Sequence, residues 1–112
     1  MIDPQLLRGF LDTCVLSLLR KGDSYGYQII KDLSHCVNIS ESTLYPILRR
    51  LEQNGSLSAY SVEHNGRLRK FYRITPRGVL QIDEFLAGWE EISRIHSFIK
   101  ECAEHDTDRI SD

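Results

Sequence analysis

The sequence predicts a mainly α-helical chain with one small β-hairpin. Three observations carry that prediction. Apolar residues recur at helical spacing in three stretches before residue 55 and again from residue 79 onward. Between them, from Leu57, the period drops to two around Asn65-Gly66, the strongest short-range hairpin signal. Gly22, Gly55 and Pro76 stand where those patterns stop or change.

Asp3-Pro4 fits an N-cap followed by proline at the first helical position, and Leu7, Phe10, Leu11, Cys14, Val15 and Leu18 repeat at helical spacing until Gly22. Cys14 on that stripe reads as a small core residue rather than a nucleophile. A second, shorter helix is expected with Ser24 as its cap and Gly26, Ile29, Ile30 and Leu33 on its buried side. Glycine costs a helix about 1 kcal/mol against alanine, so Gly26 implies a neighbour in close approach. His35 and Cys36 fall together in the following loop; with no third or fourth ligand nearby in sequence, no metal site is expected.

The third helix is expected from Ser40 to Gly55. Leu44, Ile47, Leu48 and Leu51 follow the i, i+3, i+4, i+7 pattern of a core-facing stripe. The opposite side collects Ser42, Tyr45, Pro46, Arg49, Arg50 and Gln53, donors suited to phosphate oxygens and base edges. Taken alone, that face fits an ordinary solvated helix as well as a recognition helix. Pro46 removes a backbone hydrogen bond and is expected to kink or loosen the first turns.

Pairing outward from Asn65-Gly66 sets Leu57 opposite Ile74, Ala59 opposite Tyr72, Tyr60 opposite Phe71 and Ser61 opposite Lys70. One face, Leu57, Ala59, Tyr72 and Ile74, must pack on the helices, because a lone two-stranded hairpin is marginal. Arg67, Arg69 and Lys70 cluster near the tip. Such cations serve either as a guard against edge-to-edge aggregation or as a docking surface for polyanions. Thr75-Pro76 opens a last helix, expected to run to about Cys102. Ile82, Phe85, Leu86, Trp89, Ile92, His96 and Ile99 form its stripe, too extensive for one small core to cover. A second copy of the same helix is the natural cover, which predicts a homodimer. The expected organisation is a domain over residues 1–78, a dimerisation helix over 79–103 and a polar, flexible tail over 104–112.

Composition narrows the function classes. At 112 residues the chain is one domain by length and can form a core without disulfides or metal. Its three cysteines show no CxxC spacing, which fits a reduced, cytoplasmic protein; no apolar run reaches the ~18 residues of a membrane span. The net charge of −2 conceals a strong asymmetry. Residues 40–78 carry seven basic against three acidic groups, a net of +4, and residues 79–112 carry three against nine, a net of −6. Positive potential is therefore concentrated on the third helix and the hairpin. No Ser/His/Asp order, Gly-rich phosphate loop or metal-ligand spacing points to catalysis or to a cofactor.

Three helices, a two-stranded wing and a long helix make the order of a winged helix-turn-helix. In detail, Tyr25-Gly26-Tyr27-Gln28-Ile29, the run from Ser42-Thr43-Leu44-Tyr45-Pro46 to Leu51-Glu52 with Gly55, and Arg69-Lys70-Phe71-Tyr72-Arg73-Ile74-Thr75-Pro76-Arg77-Gly78 resemble the PadR family of transcriptional regulators. The resemblance covers about residues 7–80; the last helix matches the short-tailed subfamily in position and length only. It implies a homodimeric repressor that reads a palindromic operator in double-stranded DNA and is often released by a small effector or by a stress signal; the effector expected here, aromatic or hydrophobic, is not carried over from the family. It implies also that Ser42, Thr43, Tyr45 and Arg49 face the major groove or its phosphates. Tyr27 and Lys31 would support phosphate contact, and Arg67, Arg69 and Lys70 would reach the backbone or minor groove. An effector would lodge between the long helices near Trp89 and His96. The competing expectation is a winged-helix protein-interaction module whose cationic wing docks an acidic partner.

Overall fold

The computed structural model describes residues 3–110, and of residues 106–110 the backbone alone. Its elements follow the order α1 (Pro4–Lys21), β1 (Ser24–Tyr25), α2 (Gly26–Leu33), α3 (Glu41–Gln53), β2 (Leu57–His64), β3 (Arg67–Ile74) and α4 (Pro76–Ile110). The chain divides into two compact units, Met1–Ile82 and Asp83–Asp112. Among the described residues no helix is long and apolar enough to cross a membrane.

In the first unit, α1 to α3 and one face of the sheet close around a core of Val15, Leu16, Leu19, Ile29, Leu33, Leu44, Ile47, Leu48, Leu51, Leu57, Tyr72 and Ile82. All four apolar positions expected of α3 are in it. The centre of the α1 stripe differs from expectation. Leu16 and Leu19 are fully buried, whereas Leu7 is exposed and Leu11, Cys14 and Leu18 are half-buried. So much of α1 is apolar that periodicity alone left the centre of its stripe undefined.

Helix ends obey local chemistry. Asp3 caps α1 through Oδ1, which accepts from Gln5 N at 2.7 Å, with Pro4 at the first helical position. The end of α3 is a Schellman motif. Gly55 takes φ +83°, its N–H donates to Glu52 O and the Ser56 N–H donates to Leu51 O. The helix is unbroken from Glu41 to Gln53, so Pro46 is accommodated without interrupting it.

The hairpin has the expected register throughout, from Leu57–Ile74 to His64–Arg67, and Asn65 and Gly66 turn at φ 53° and 79°. Ser24 corrects the expectation for α2. Instead of capping that helix it joins a two-residue strand, pairing with Tyr72 while Tyr25 pairs with Phe71, so the sheet has three strands in the order β1-β3-β2. Tyr25 occupies the N-cap position of α2 with no side-chain cap bond. At the root of the hairpin, Ser56 is fully buried. Its Oγ donates to Gln81 Oε1 at 2.6 Å and its carbonyl accepts from Thr75 N. Those bonds tie α3, β2, β3 and the first turns of α4 together.

In the second unit α4 continues past Ala103 to Ile110, beyond the expected end of the helix. No glycine or proline follows Gly88, so the chain supplies no helix terminator there. The flexible tail expected over residues 104–112 lies outside the described residues only at positions 111 and 112.

Candidate nucleic-acid interface

Tyr45 from the polar face of α3, the start of α2 and the hairpin tip border one open cleft of about 720 Å³. Tyr25, Gly26, Tyr27, Tyr45, Arg67, Arg69, Lys70 and Tyr72 line it together with His64, Asn65 and Leu68 at the turn. Five of the expected contact residues thus meet on one surface: Tyr27, Tyr45, Arg67, Arg69 and Lys70. Ser42, Thr43 and Arg49 lie exposed on α3 and Lys31 exposed on α2, outside the cleft lining.

Close packing fixes where Tyr45 stands. A Cβ on Gly26 would lie 2.5 Å from Tyr45 Oη, so the glycine leaves room for the phenol at the start of α2. This is the close approach that Gly26 implied. At the beginning of α3, Ser40 Oγ shares hydrogen bonds with Ser42 Oγ at 2.8 Å and Thr43 Oγ1 at 3.3 Å. The first hydroxyls of the polar face are therefore pre-ordered as a group.

The cations divide into those presented and those used within the fold. Arg50, expected on the outward face, instead pairs with Asp12 and ties α3 to α1. Desolvation pushes the Asp12 carboxyl up although Arg50 pulls it down, so the pair fixes geometry at some cost to the buried charge. Arg49, one residue earlier and about 100° around the helix, has no hydrogen bond or ion pair among the described residues. Arg67 has none either. Lys70 lies 3.6 Å from Glu52 and 5.5 Å from the centre of the Tyr72 ring.

Arg69 is held by residues that periodicity did not single out. Its guanidinium sits 4.3 Å over the Tyr25 ring, Tyr25 meets Phe71 edge-on at 5.3 Å, and Phe71 stacks on Tyr60 at 5.7 Å. Arg73 covers the other end at 5.1 Å from the Tyr60 ring. Asp23 then closes the column, accepting from Tyr60 Oη at 2.6 Å and from Arg73 Nε at 3.0 Å. Those two donors hold the Asp23 carboxyl below its ordinary value, and the same bond to Asp23 pushes the Tyr60 phenol up. The hairpin register already placed Tyr60 beside Phe71; Tyr25 reaches them only through β1, which the sequence did not reveal.

Residues 15–84 match the model of the transcriptional regulator PadR-like family. The chain belongs to that family. An uncharacterized protein from Lysinibacillus sphaericus is 35% identical to it over 93% of this chain and 100% of its own length. A transcriptional regulator from Clostridium thermocellum superposes with a TM-score of 0.74 at 38% identity, covering 85% of this chain and 94% of that one. Bacillus subtilis PadR, solved in complex with operator DNA, superposes with a TM-score of 0.65 at 26% identity over 69% of this chain and 46% of that one. This PadR-like chain is thus a transcriptional regulator with a winged helix fold, and the cleft between α3 and the wing is its candidate interface.

The residues expected at a dimer interface separate into two groups. Ile82 is 4% exposed in the core of the first unit and is not available to a partner. Leu86, Trp89, Ile92, Ile95, Phe98 and Ile99 are 42–65% exposed along α4, with His96 exposed among them and Phe85 half-buried. Ile82 falls in the first unit because the first turns of α4 are bound into the root of the hairpin through Gln81. Among the described residues no group of three or more His, Cys, Asp and Glu side chains could hold a metal ion.

Proposed function

We propose that the chain is a homodimeric repressor that reads a palindromic site in double-stranded DNA. The polar face of α3 enters the major groove and the wing lies along the adjacent backbone. The observation that carries this reading is the convergence of Tyr27, Tyr45, Arg67, Arg69 and Lys70 on one cleft, next to a face of α3 that presents Ser42, Thr43 and Arg49. Operator binding by the B. subtilis relative supports it. Arg49 carries no internal ion pair, so its guanidinium is available for a bidentate base or phosphate contact. Arg69, held over the Tyr25 ring, meets backbone phosphates at a defined position.

Dimerisation follows from the exposed stripe of α4. Contiguous apolar side chains over three helical turns are rarely left to water, and a two-fold copy covers them with a self-complementary surface. Two α3 helices then enter successive major grooves about 34 Å apart, which is why the site is a palindrome. Trp89 and His96, seven residues apart and on one side of α4, are where a small aromatic or hydrophobic effector would act to release DNA. The protein works in the cytoplasm, where the DNA is. Capture of genomic fragments on the purified protein, followed by footprinting, tests the reading. Protection of a short palindrome is the expected result. Salt-dependent binding to every fragment alike, or none, would transfer the cationic cleft to an acidic protein partner.

A further inference from the structure

Three acidic residues interrupt the basic run of residues 40–78: Glu41, Glu52 and Glu63. Glu41 sits in the first turn of α3, where a carboxylate suits the helix dipole, and Glu63 lies opposite Leu68 in the wing. Glu52 is different. It follows Tyr45 by seven residues and Arg49 by three, spacings that put side chains on one strip of a helix. A carboxylate therefore stands on the face that carries the donors, next to last in α3, where an anion opposes the dipole and the helix gains nothing from it. Its Oε1 lies 3.6 Å from Nζ of Lys70 on β3, and that ammonium stands 5.5 Å from the centre of the buried Tyr72 ring. A cation of the wing is thereby parked against α3, beside the cleft that Lys70 and Tyr72 line.

The other two ion pairs of the first unit are built differently. Arg50 donates a hydrogen bond to Asp12, and Arg73 Nε donates one to Asp23 at 3.0 Å. Those two carboxylate side chains are 13% and 26% exposed, whereas Glu52 and Lys70 are 39% and 55% exposed, and 3.6 Å is beyond hydrogen-bond length. A pair this open adds about 0–1 kcal/mol to stability. The first two pairs hold elements together; the third can be exchanged for another partner.

We propose that Glu52 is a specificity-determining residue that withholds Lys70 from DNA until α3 is seated in the major groove. This rests on the DNA reading given above. On arbitrary duplex, affinity comes almost wholly from cations on phosphate. There Lys70 stays with Glu52, and loose complexes lack one cation. On the preferred sequence the base contacts of α3 bring the wing against the backbone, and Lys70 swings on its flexible stem from the carboxylate to a phosphate oxygen. Only a weak surface pair is lost in the exchange. Glu52 thus widens the gap between the preferred site and other DNA by weakening the wrong complexes.

The test compares the full-length parent protein with Glu52→Gln, Lys70→Gln and the double variant on a fragment that the parent prefers, on a scrambled duplex of the same length and on immobilised heparin. Glu52→Gln should bind the scrambled duplex about 3- to 10-fold more tightly and the preferred fragment by no more than about twofold, with unchanged thermal unfolding. In a Lys70→Gln background the same substitution should change neither affinity. On heparin, Glu52→Gln should elute at higher salt than the parent, and only where Lys70 is present. Unchanged or weaker binding of Glu52→Gln to the scrambled duplex, or an equal gain on both duplexes, overturns the specificity role. A gain that persists in the Lys70→Gln background assigns the effect to direct repulsion between carboxylate and phosphate and overturns the hold on Lys70. If the parent prefers no fragment, the DNA reading falls; a Lys70-dependent shift on heparin then leaves the hold on Lys70 standing, and its absence overturns that as well.

Discussion

Helix α3 and the far part of α4 carry apolar stripes at the same helical spacing and meet opposite fates. Leu44, Ile47, Leu48 and Leu51 are 0–5% exposed, whereas Leu86, Trp89, Ile92, Ile95, Phe98 and Ile99 remain 42–65% exposed. Periodicity tells that a face seeks cover; it does not tell where the cover comes from. For α3 the cover is α1, α2 and the hairpin of the same chain. For α4 it is proposed to be a second chain.

That contrast predicts different penalties for the same truncation. Leu48→Ala should cost about 2–5 kcal/mol, as for a large core side chain, seen as a fall in the urea midpoint. Ile99→Ala should leave that midpoint nearly unchanged at low protein concentration, and the pair Ile92→Asp with Ile99→Asp should convert a dimer to a monomer by sedimentation. A double variant that sediments like the parent would break the comparison. Glycines sharpen it within the first unit. At Gly78 a Cβ would lie 2.2 Å from the Ser56 carbonyl and 2.7 Å from Ile74 Cγ1, so Gly78→Ala should destabilise by about 1–3 kcal/mol, measured by thermal unfolding. At Gly26 the obstacle is only the tip of Tyr45, so Gly26→Ala should keep its melting temperature while losing DNA affinity.

On the outer face of α3, Arg49→Ala should lower affinity about 10- to 100-fold if the guanidinium reads a base, with sequence preference relaxed at one position. Uniform loss on every sequence would assign it to phosphate. Tyr25→Leu removes the ring under Arg69 and should cost about 0.5–2 kcal/mol of binding, largely absent in an Arg69→Ala background, while Tyr25→Phe should retain it. The smallest effect is on pH. Because the folded value of Asp23 is depressed, its contribution is present above the ordinary carboxylate value of 3.8 and is lost as pH falls through the lower folded value. NMR of Tyr60 through an acid titration should show the wing anchor loosening only in that range, and Asp23→Asn should abolish the transition.

Most of the fold was legible because its signals are local. Asn65-Gly66 set the whole hairpin register, and Gly55 marked the end of α3 through a left-handed backbone that glycine favours. What escaped depends on distant partners. A two-residue strand has no period, so β1 and with it Tyr25 under Arg69 could not be seen. Nothing in the spacing of Arg49 and Arg50 says that Asp12, 38 residues away, claims one of them. Ile82 looked continuous with the α4 stripe until the Ser56–Gln81 bond anchored its turn to the hairpin root.

The ion pair between Arg50 and Asp12 has a consequence outside the fold. A cation releases condensed counterions from DNA only if it comes to the phosphate unpartnered, and the salt dependence of binding counts such cations, at about 0.9 in the logarithmic slope for each. Of the seven basic groups in residues 40–78, Arg50 and Arg73 are matched at home and Lys70 is shared with Glu52. The slope expected of the proposed DNA complex is therefore shallower than the sequence charge suggests, with Arg49, Arg67 and Arg69 supplying most of it.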